Sequence, residues 1–184
     1  MNNALKDRFA QLYNEHADSI FRFCFFRVSD RNVALDLTQD VFTRFWDSLI
    51  RGASIGNDKA FLFTIARNSI IDWYRKKKSL SLEGMQEEND DPEEFAIIGD
   101  DAKSAIELDA EGRFLIDKIR DLPHTSQQVL YLRYVEGMKP KEIAETLGIQ
   151  TNAVSVRIFR ALEELRKLTG YDDLKDNEHN DHEK

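Results

Sequence analysis

Cysteine is almost absent from this chain of 184 residues, with Cys24 alone. That excludes a disulfide scaffold and a thiolate zinc site. Cys24 sits among apolar neighbours and is expected to pack as a small apolar side chain. Proline and glycine are scarce, at 3 and 8 residues, which disfavours many short strands and turns and favours helices. No apolar run approaches the ~20 residues that a membrane span needs, so no membrane insertion is expected. The opening segment MNNALKDRF lacks the apolar core of a secretory leader, and the expected location is the cytoplasm. The local sequence suggests no metal-ligand spacing, glycine-rich phosphate loop or nucleophile–base pair. The expectation is therefore no catalytic residues, no metal, no cofactor, no small-molecule substrate and no enzymatic activity.

Charge is plentiful and segregated. The formal net charge is -8. Residues 1–78 nevertheless carry 13 basic against 9 acidic side chains, and residues 112–168 carry 10 against 7. Between them, residues 79–111 carry 1 against 12, and residues 169–184 carry 2 against 6. Screening limits electrostatic reach to about 8–10 Å, so an extended polyanion meets the local blocks and not the net charge. The expected division is a domain over residues 1–78, an acidic linker over 79–108, a second domain over 109–168 and an acidic tail over 169–184. The strip SLSLEGMQEENDDPEEF reads as a solvated tether with a brief helical turn near Phe95. Residues 83–101 are also expected to shield the basic faces from random DNA. His179 and His182 belong to the polar tail and are not expected to hold a metal.

The first block reads as three helices. Leu5, Phe9, Leu12, Ile20, Phe23 and Cys24 recur at helical spacing over residues 4–28. Ser29-Asp30 breaks the pattern and caps a second helix over residues 31–51, with Val33, Leu37, Val41 and Phe45 on one stripe. Asp36, Gln39, Asp40 and Asp47 fall elsewhere on its surface, as a solvated face or a docking surface. A loop over residues 51–58 precedes a third helix over residues 57–78, capped by Asn57 or Asp58. Phe63, Ala66, Ile70, Trp73 and Tyr74 share one side of it, and Thr64, Asn68, Asp72 and Arg75 the other. Its end, Arg75-Lys76-Lys77-Lys78, suits the helix dipole. Together with the adjacent aromatic pair it also suits an unstacked nucleic-acid strand, with rings for stacking and cations for phosphates.

The second block reads as a helix over residues 109–120, a break at Leu122-Pro123, and a helix opened by a T-x-x-Q capping box at Thr125 and Gln128. Gly137 ends that helix, Pro140 starts the next, and Gly148-Ile149 makes a tight turn. Gln150 or Thr151 caps the last helix. Ile143, Ala144, Leu147, Ile149, Val154 and Ile158 are spaced to pack two short helices across that turn as a helix-turn-helix. Thr151, Asn152, Ser155, Phe159 and Arg160 then project from a helix that fits a major groove about 12 Å wide. Arg157 and Arg160 can hold phosphate or guanine.

These segments together resemble the extracytoplasmic-function (ECF) class of the sigma-70 family. Asp36-Leu37-Thr38-Gln39-Asp40-Val41-Phe42 resembles that family's polymerase-docking helix. Ile65-Ala66-Arg67-Asn68 with Asp72-Trp73-Tyr74-Arg75-Lys76-Lys77-Lys78 resembles its promoter-melting helix. Leu122-Pro123, Glu142-Ile143-Ala144, Leu147-Gly148-Ile149 and residues 154–161 resemble its final helix-turn-helix domain. The resemblance implies an all-α fold of two small helical domains, a three-to-four-helix bundle and a helix-turn-helix domain joined by the acidic linker. It implies an alternative sigma factor whose partners are bacterial core RNA polymerase, promoter DNA at the -10 and -35 elements, and an anti-sigma factor.

Residue by residue, the resemblance assigns Asp36, Gln39, Asp40 and Phe42 to polymerase. It assigns Asn68, Asp72, Trp73, Tyr74, Arg75, Lys76 and Lys77 to -10 binding and melting, with the 51–58 loop pocketing a flipped base. It assigns Thr151, Asn152, Ser155, Arg157, Phe159 and Arg160 to the -35 element. Three positions depart from the family pattern: Leu35 where an acidic residue often stands, Lys139 in place of a Ser or Thr cap, and Ser155 in place of a base. The second reading is a stand-alone helix-turn-helix regulator with the first block as a sensor or dimerisation bundle.

Overall fold

The computed structural model of the chain describes residues 3–80, 114 and 117–170. The expected acidic linker, the helical turn near Phe95, most of the helix over 109–120 and nearly all of the tail lie outside the described residues.

Three helices build the first half: α1 (Asn3–Val28), α2 (Arg31–Ile50) and α3 (Asp58–Leu80). The break between α1 and α2 is short because Ser29 adopts a left-handed conformation, φ 55°. Asp30 then caps α2, its carboxylate accepting from the backbone N–H groups of Asn32 and Val33 at 2.9 and 3.0 Å. Such a cap contributes about 1 kcal/mol. Asn57 caps α3, its Oδ1 accepting from the Ala60 N–H at 2.9 Å. α3 continues to Leu80, two residues past the expected end at Lys78. The apolar stripes meet as their spacing requires, burying Ile20, Phe23, Leu37, Val41, Phe45, Phe63, Ala66 and Ile70.

The second half holds α4 (His124–Leu130), a single π-helical turn (Tyr131–Val135), α5 (Pro140–Leu147) and α6 (Thr151–Thr169). The expected capping box is not formed. α4 starts two residues earlier, behind Pro123, with no side-chain cap. Thr125 lies inside its first turn and Gln128 is buried. Gln127 works in the other direction, its amide donating to the carbonyls of Arg120 and Leu122 at 3.0 and 2.8 Å. That satisfies acceptors exposed where the preceding chain breaks.

At α5 half of a capping box exists. The Glu142 carboxylate accepts the Lys139 N–H at 2.7 Å, while lysine has no acceptor to return. Gly148 makes the turn at φ 67°, a conformation that carries a steric cost for any residue with a Cβ. Gln150 holds the N-cap position of α6, as expected, but makes no side-chain cap hydrogen bond, and Thr151 is the first residue of the helix. Ile143, Ala144, Leu147 and Val154 are buried between α5 and α6, which fixes the helix-turn-helix.

The two halves are packed together. Tyr131 inserts its ring against Phe26 and Phe23, with centroids 4.7 and 5.7 Å apart, and is 2% exposed. α5 lies along the start of α3, where Thr146 Oγ1 donates to the Ala60 carbonyl at 3.3 Å. The Lys59 ammonium donates to the Glu136 carbonyl at 2.5 Å, and the Asn57 amide donates to Glu142 Oε1 at 2.8 Å. This junction explains why the end of α1 is apolar on more than one side. Phe25 and Phe26 lie off the stripe of Phe23, and both are buried.

Candidate nucleic-acid interface

The exposed polar face of α2 is smaller than its sequence suggests. Asp36 and Gln39 are exposed. Asp40 is engaged: its Oδ2 accepts from Ser69 Oγ on α3 at 2.9 Å and pairs with Arg44 Nε at 2.8 Å. Arg44 also reaches Asp72 Oδ2 at 3.7 Å, so one guanidinium spans an acid from each helix. Phe42 is 3% exposed and cannot project as a contact. It meets Tyr13 and Phe9 edge-on at 4.7 and 6.2 Å. Its place is the floor of an open groove of about 530 Å³ walled by Phe9, Tyr13 and Trp46 and edged by Lys6, Gln39 and Thr43.

α3 separates its residues by function. Asn68, Arg75, Lys76 and Lys77 are exposed. Asn68 and Arg75 are seven residues apart on one helix, a rise of about 10 Å, close to the spacing of a few stacked nucleotides. Trp73 and Tyr74 are half-buried and meet edge-on at 4.7 Å. Lys77 lies over the Trp73 ring at 5.0 Å, occupying one stacking surface with a cation. The Tyr74 hydroxyl donates to the Arg27 carbonyl at 2.6 Å. Burial pushes that phenol above its ordinary range. Tyr74 is thus a brace between α3 and α1 and offers less free ring than the aromatic-basic pattern implies.

The loop over residues 51–57 and the first turn of α3 face α5 across a cleft of about 720 Å³. Ser54, Ile55, Asn57, Phe61 and Thr64 line one side, and Lys139, Lys141, Glu142 and Glu145 the other. Sequence reasoning found the loop and missed its partner. Glu142 stood out only within the segment that resembles the helix-turn-helix domain.

On α6, Thr151, Asn152, Ser155, Phe159 and Arg160 are exposed, and Arg157 is half-buried. Phe159 is 62% exposed, which solvent alone does not favour for so large an apolar ring. Val156, at 47%, lies exposed on the same helix and was missed. It carries no polar signal and reads as core by type. α6 packs on α4 and α5 and leaves its first two turns outward.

A buried basic cluster lies behind these faces. Arg27 is buried at the end of α1, and His124 Nδ1 lies 3.5 Å from its Nη1. Burial, then the Arg27 and Arg67 charges, push the His124 imidazole down to about 3. It is therefore neutral at physiological pH and accepts through Nδ1. Burial and Arg67 bring Arg27 down to about 9, so it remains charged. Among the described residues there is no group of three or more potential metal ligands. None of the described helices is long and apolar enough to cross a membrane.

Comparison with known proteins gives a consistent result. The family model described as sigma-70 region 2 matches residues 12–80, and that of sigma-70, region 4, matches residues 115–165. The ECF RNA polymerase sigma factor SigL of Mycobacterium tuberculosis is 30% identical over 157 residues, covering 84% of this chain and 85% of that protein. The ECF RNA polymerase sigma factor SigX of Bacillus subtilis is 25% identical, covering 89% and 84%. BldN of Streptomyces coelicolor is 29% identical over 88% of this chain, which spans 60% of that protein's length. Among solved structures, RpoE in complex with the anti-sigma factor NepR from Bartonella quintana has a TM-score of 0.64 at 20% identity, over 89% of this chain and 97% of that one. CnrH in complex with the cytosolic domain of CnrY has a TM-score of 0.60 at 24% identity, over 91% and 90%. At those identities the two structures speak to the fold, which is all-helical with two domains.

Proposed function

Because the chain belongs to the ECF class of the sigma-70 family, we propose that it is an alternative sigma factor which binds bacterial core RNA polymerase and directs promoter recognition, DNA melting and transcription initiation. The observation that carries this reading is the pairing, in one chain, of an exposed Asn68-to-Lys77 face on α3 with an outward recognition helix α6. A stand-alone regulator needs only the second.

In this reading Asp36 and Gln39 meet polymerase directly, Asp40 meets it from within its Arg44 pair, and Phe42 shapes the groove beside them. Asn68, Asp72, Trp73, Arg75, Lys76 and Lys77 hold the -10 strand, and Tyr74 holds the helix that carries them. Unstacking each base costs a few kcal/mol. Stacking on one aromatic ring returns about 1–3 kcal/mol per base, so the cations and polymerase must supply the rest. Thr151, Asn152, Ser155 and Phe159 read the -35 duplex, and Arg157 and Arg160 hold its backbone or a guanine. Polymerase makes the bonds, and the chain itself is not an enzyme. Its place of work is the cytoplasm, and an anti-sigma factor is its regulatory partner. The proposed working units are residues 1–78 for polymerase and -10 and residues 109–168 for -35, joined by 79–108 and followed by the 169–184 tail.

The test is co-elution of the full chain with bacterial core polymerase, beside Asp36→Arg. Stoichiometric binding by the parent and loss in the variant is the expected result. No binding by folded parent chain would replace this reading with the stand-alone regulator.

A further inference from the structure

The face that α6 turns outward is apolar at its centre. A helix advances about 100° per residue. Val154 and Ala161 are buried, and they fall within about 20° of each other around the α6 axis. Asn152, Val156 and Phe159 take the opposite direction, each within about 30° of its midline. Thr151 and Ser155 lie to one side of them and Arg160 to the other. Val156 is 47% exposed and Phe159 62%. Side chains three residues apart are neighbours on a helix surface, so the two form one patch with the Asn152 amide beside it. α6 packs on α4 and α5, with Val154 and Ala161 on its buried side. Neither of those helices covers the patch.

The groups around the patch narrow what it meets. Ser155 Oγ donates to the Thr151 carbonyl at 3.3 Å. Its one proton is thus turned back onto its own helix, and it offers a partner acceptor capacity alone. Arg160 sets an exposed cation beside the patch, while Glu163 and Glu164 are exposed one turn further on. Two adjoining carboxylates repel phosphate, so the stretch that suits DNA ends after Arg160. Within a major groove the apolar feature is the C5-methyl group of thymine, and an Asn amide pairs bidentately with adenine. Asn152, Val156 and Phe159 therefore find their best partners on A·T pairs. Val156 and Phe159 are about 4.5 Å apart along the helix axis, and one base-pair step rises about 3.4 Å. The two apolar groups thus match neighbouring pairs.

We propose that Val156 and Phe159 read the methyl groups of thymines on two successive base pairs of the -35 element, with Asn152 on an adenine beside them, so that α6 selects an A·T step. The proposal rests on the reading of α6 as the -35 recognition helix. It adds Val156 as a specificity residue and gives the element a sequence class. The core does not need either side chain, since Val154 and Ala161 fill the buried side of α6. Pressing one methyl group against an apolar side chain removes it from water, which is worth about 4-fold in affinity. Two such contacts give roughly 15-fold discrimination.

The test selects duplexes randomised over the -35 region with the full chain, both alone and bound to bacterial core polymerase. The selected duplexes are expected to carry thymines on two successive base pairs. Exchanging one of these thymines for uracil removes only the methyl group and is expected to weaken binding by the parent about 4-fold. Val156→Ser is expected to lose the response to uracil at one of the two pairs and keep it at the other. Phe159→Ala is expected to show the converse. Val156→Ile keeps an apolar surface and is expected to keep both responses. The salt slope should match the parent in all three variants, because no phosphate contact is lost. Helix content by circular dichroism should match as well, since both positions are exposed. Selected duplexes without such a thymine pair, or a parent indifferent to uracil at both positions, would overturn the proposal. Val156→Ser weakening every duplex alike would also overturn it, because the side chain then only positions the helix. Loss of polymerase co-elution in Val156→Ser would overturn it by assigning the patch to a protein partner. Thymine-dependent selection by a chain that does not bind polymerase would keep the methyl readout and replace the sigma reading with the stand-alone regulator. Polymerase binding without thymine dependence would remove the readout and leave the sigma reading standing.

Discussion

The Tyr74 hydroxyl donates to the backbone carbonyl of Arg27 at 2.6 Å, tying the C-terminal half of α3 to the end of α1. Among the described residues its neighbour Trp73 has no such bond, and Lys77 lies over its ring. The two aromatics, adjacent in sequence, therefore have different tasks. Tyr74→Phe should lose about 1 kcal/mol of stability, the usual net value of one such hydrogen bond. For a chain of this size that lowers Tm by roughly 2–4 °C. Trp73→Ala should reduce permanganate reactivity of the melted -10 region more than it reduces -35 duplex binding. A thermal melt of Tyr74→Phe that matches the parent would show that the brace has no energetic weight.

Asp36 and Asp40 are four residues apart on α2 and differ in what they touch. Asp36 is exposed, whereas Asp40 holds Ser69 and Arg44. Asp36→Arg should abolish polymerase co-elution with stability changed by less than about 0.5 kcal/mol. Asp40→Arg should lower both, because it sets a cation beside Arg44 and releases Ser69. Urea unfolding and co-elution on the same two preparations separate these outcomes. Equal stability in both variants would mean that the α2–α3 network contributes nothing to folding.

The difference between those aspartates also marks the limit of what the sequence conveys. Spacing within a helix reveals which residues share a face, and it correctly paired Leu37 with Val41 and Phe45, and Ile143 with Leu147. Caps next to a chain break were legible for the same reason, as at Asp30 and Asn57. What lies across from a face belongs to another helix, and no local spacing encodes it. Asp40 thus read as free although Ser69 and Arg44 hold it, and Phe42 read as a contact although Phe9 and Tyr13 cover it. The domain junction was hidden likewise, although Phe25 and Phe26 beside Phe23 exceed what one buried face needs. The Thr125–Gln128 box failed because Pro123 set the helix start two residues early, which left Gln127 to satisfy carbonyls behind it. The aromatic-basic run, the helix-turn-helix and helix α2 were readable because each is carried by one continuous segment.

Acid should loosen the junction through His124. Its folded-state value of about 3 lies below the ordinary 6.5. The native chain thus binds fewer protons than the unfolded chain between those limits. Stability attributable to this group is fully present above pH 6.5 and is lost as pH falls toward 3, with a limiting slope of about 1.4 kcal/mol per pH unit. Protonation would place a third positive charge beside Arg27 and Arg67. Glu136 opposes this, because burial raises its carboxyl. Its stabilising contribution is present below its unfolded value and is lost as pH rises through the folded one. His124→Phe should therefore flatten the urea-derived stability profile from pH 6.5 downward, and Glu136→Gln should steepen the fall that remains. A His124→Phe profile parallel to the parent would show that the imidazole does not titrate across unfolding.

In the proposed -35 reading, Phe159 and Arg160 make two different kinds of contact from one helix. Both are exposed in the free chain, Phe159 at 62%. Neither substitution should move Tm by more than a degree or two, since exposed side chains contribute little to folding. Arg160→Ala should weaken duplex binding with little dependence on sequence and lower the salt slope by about one unit if its partner is a phosphate. A loss of about 1–3 kcal/mol confined to one base position would assign it to guanine instead. Phe159→Ala should leave the salt slope unchanged, because an aromatic ring displaces no counterions. Its loss should concentrate at a thymine, whose methyl group is the apolar feature of the major groove. Competition titrations of -35 duplexes across a salt series, with thymine and uracil exchanged position by position, read both effects. Uniform loss with a reduced salt slope in Phe159→Ala would mean that the ring only positions the helix.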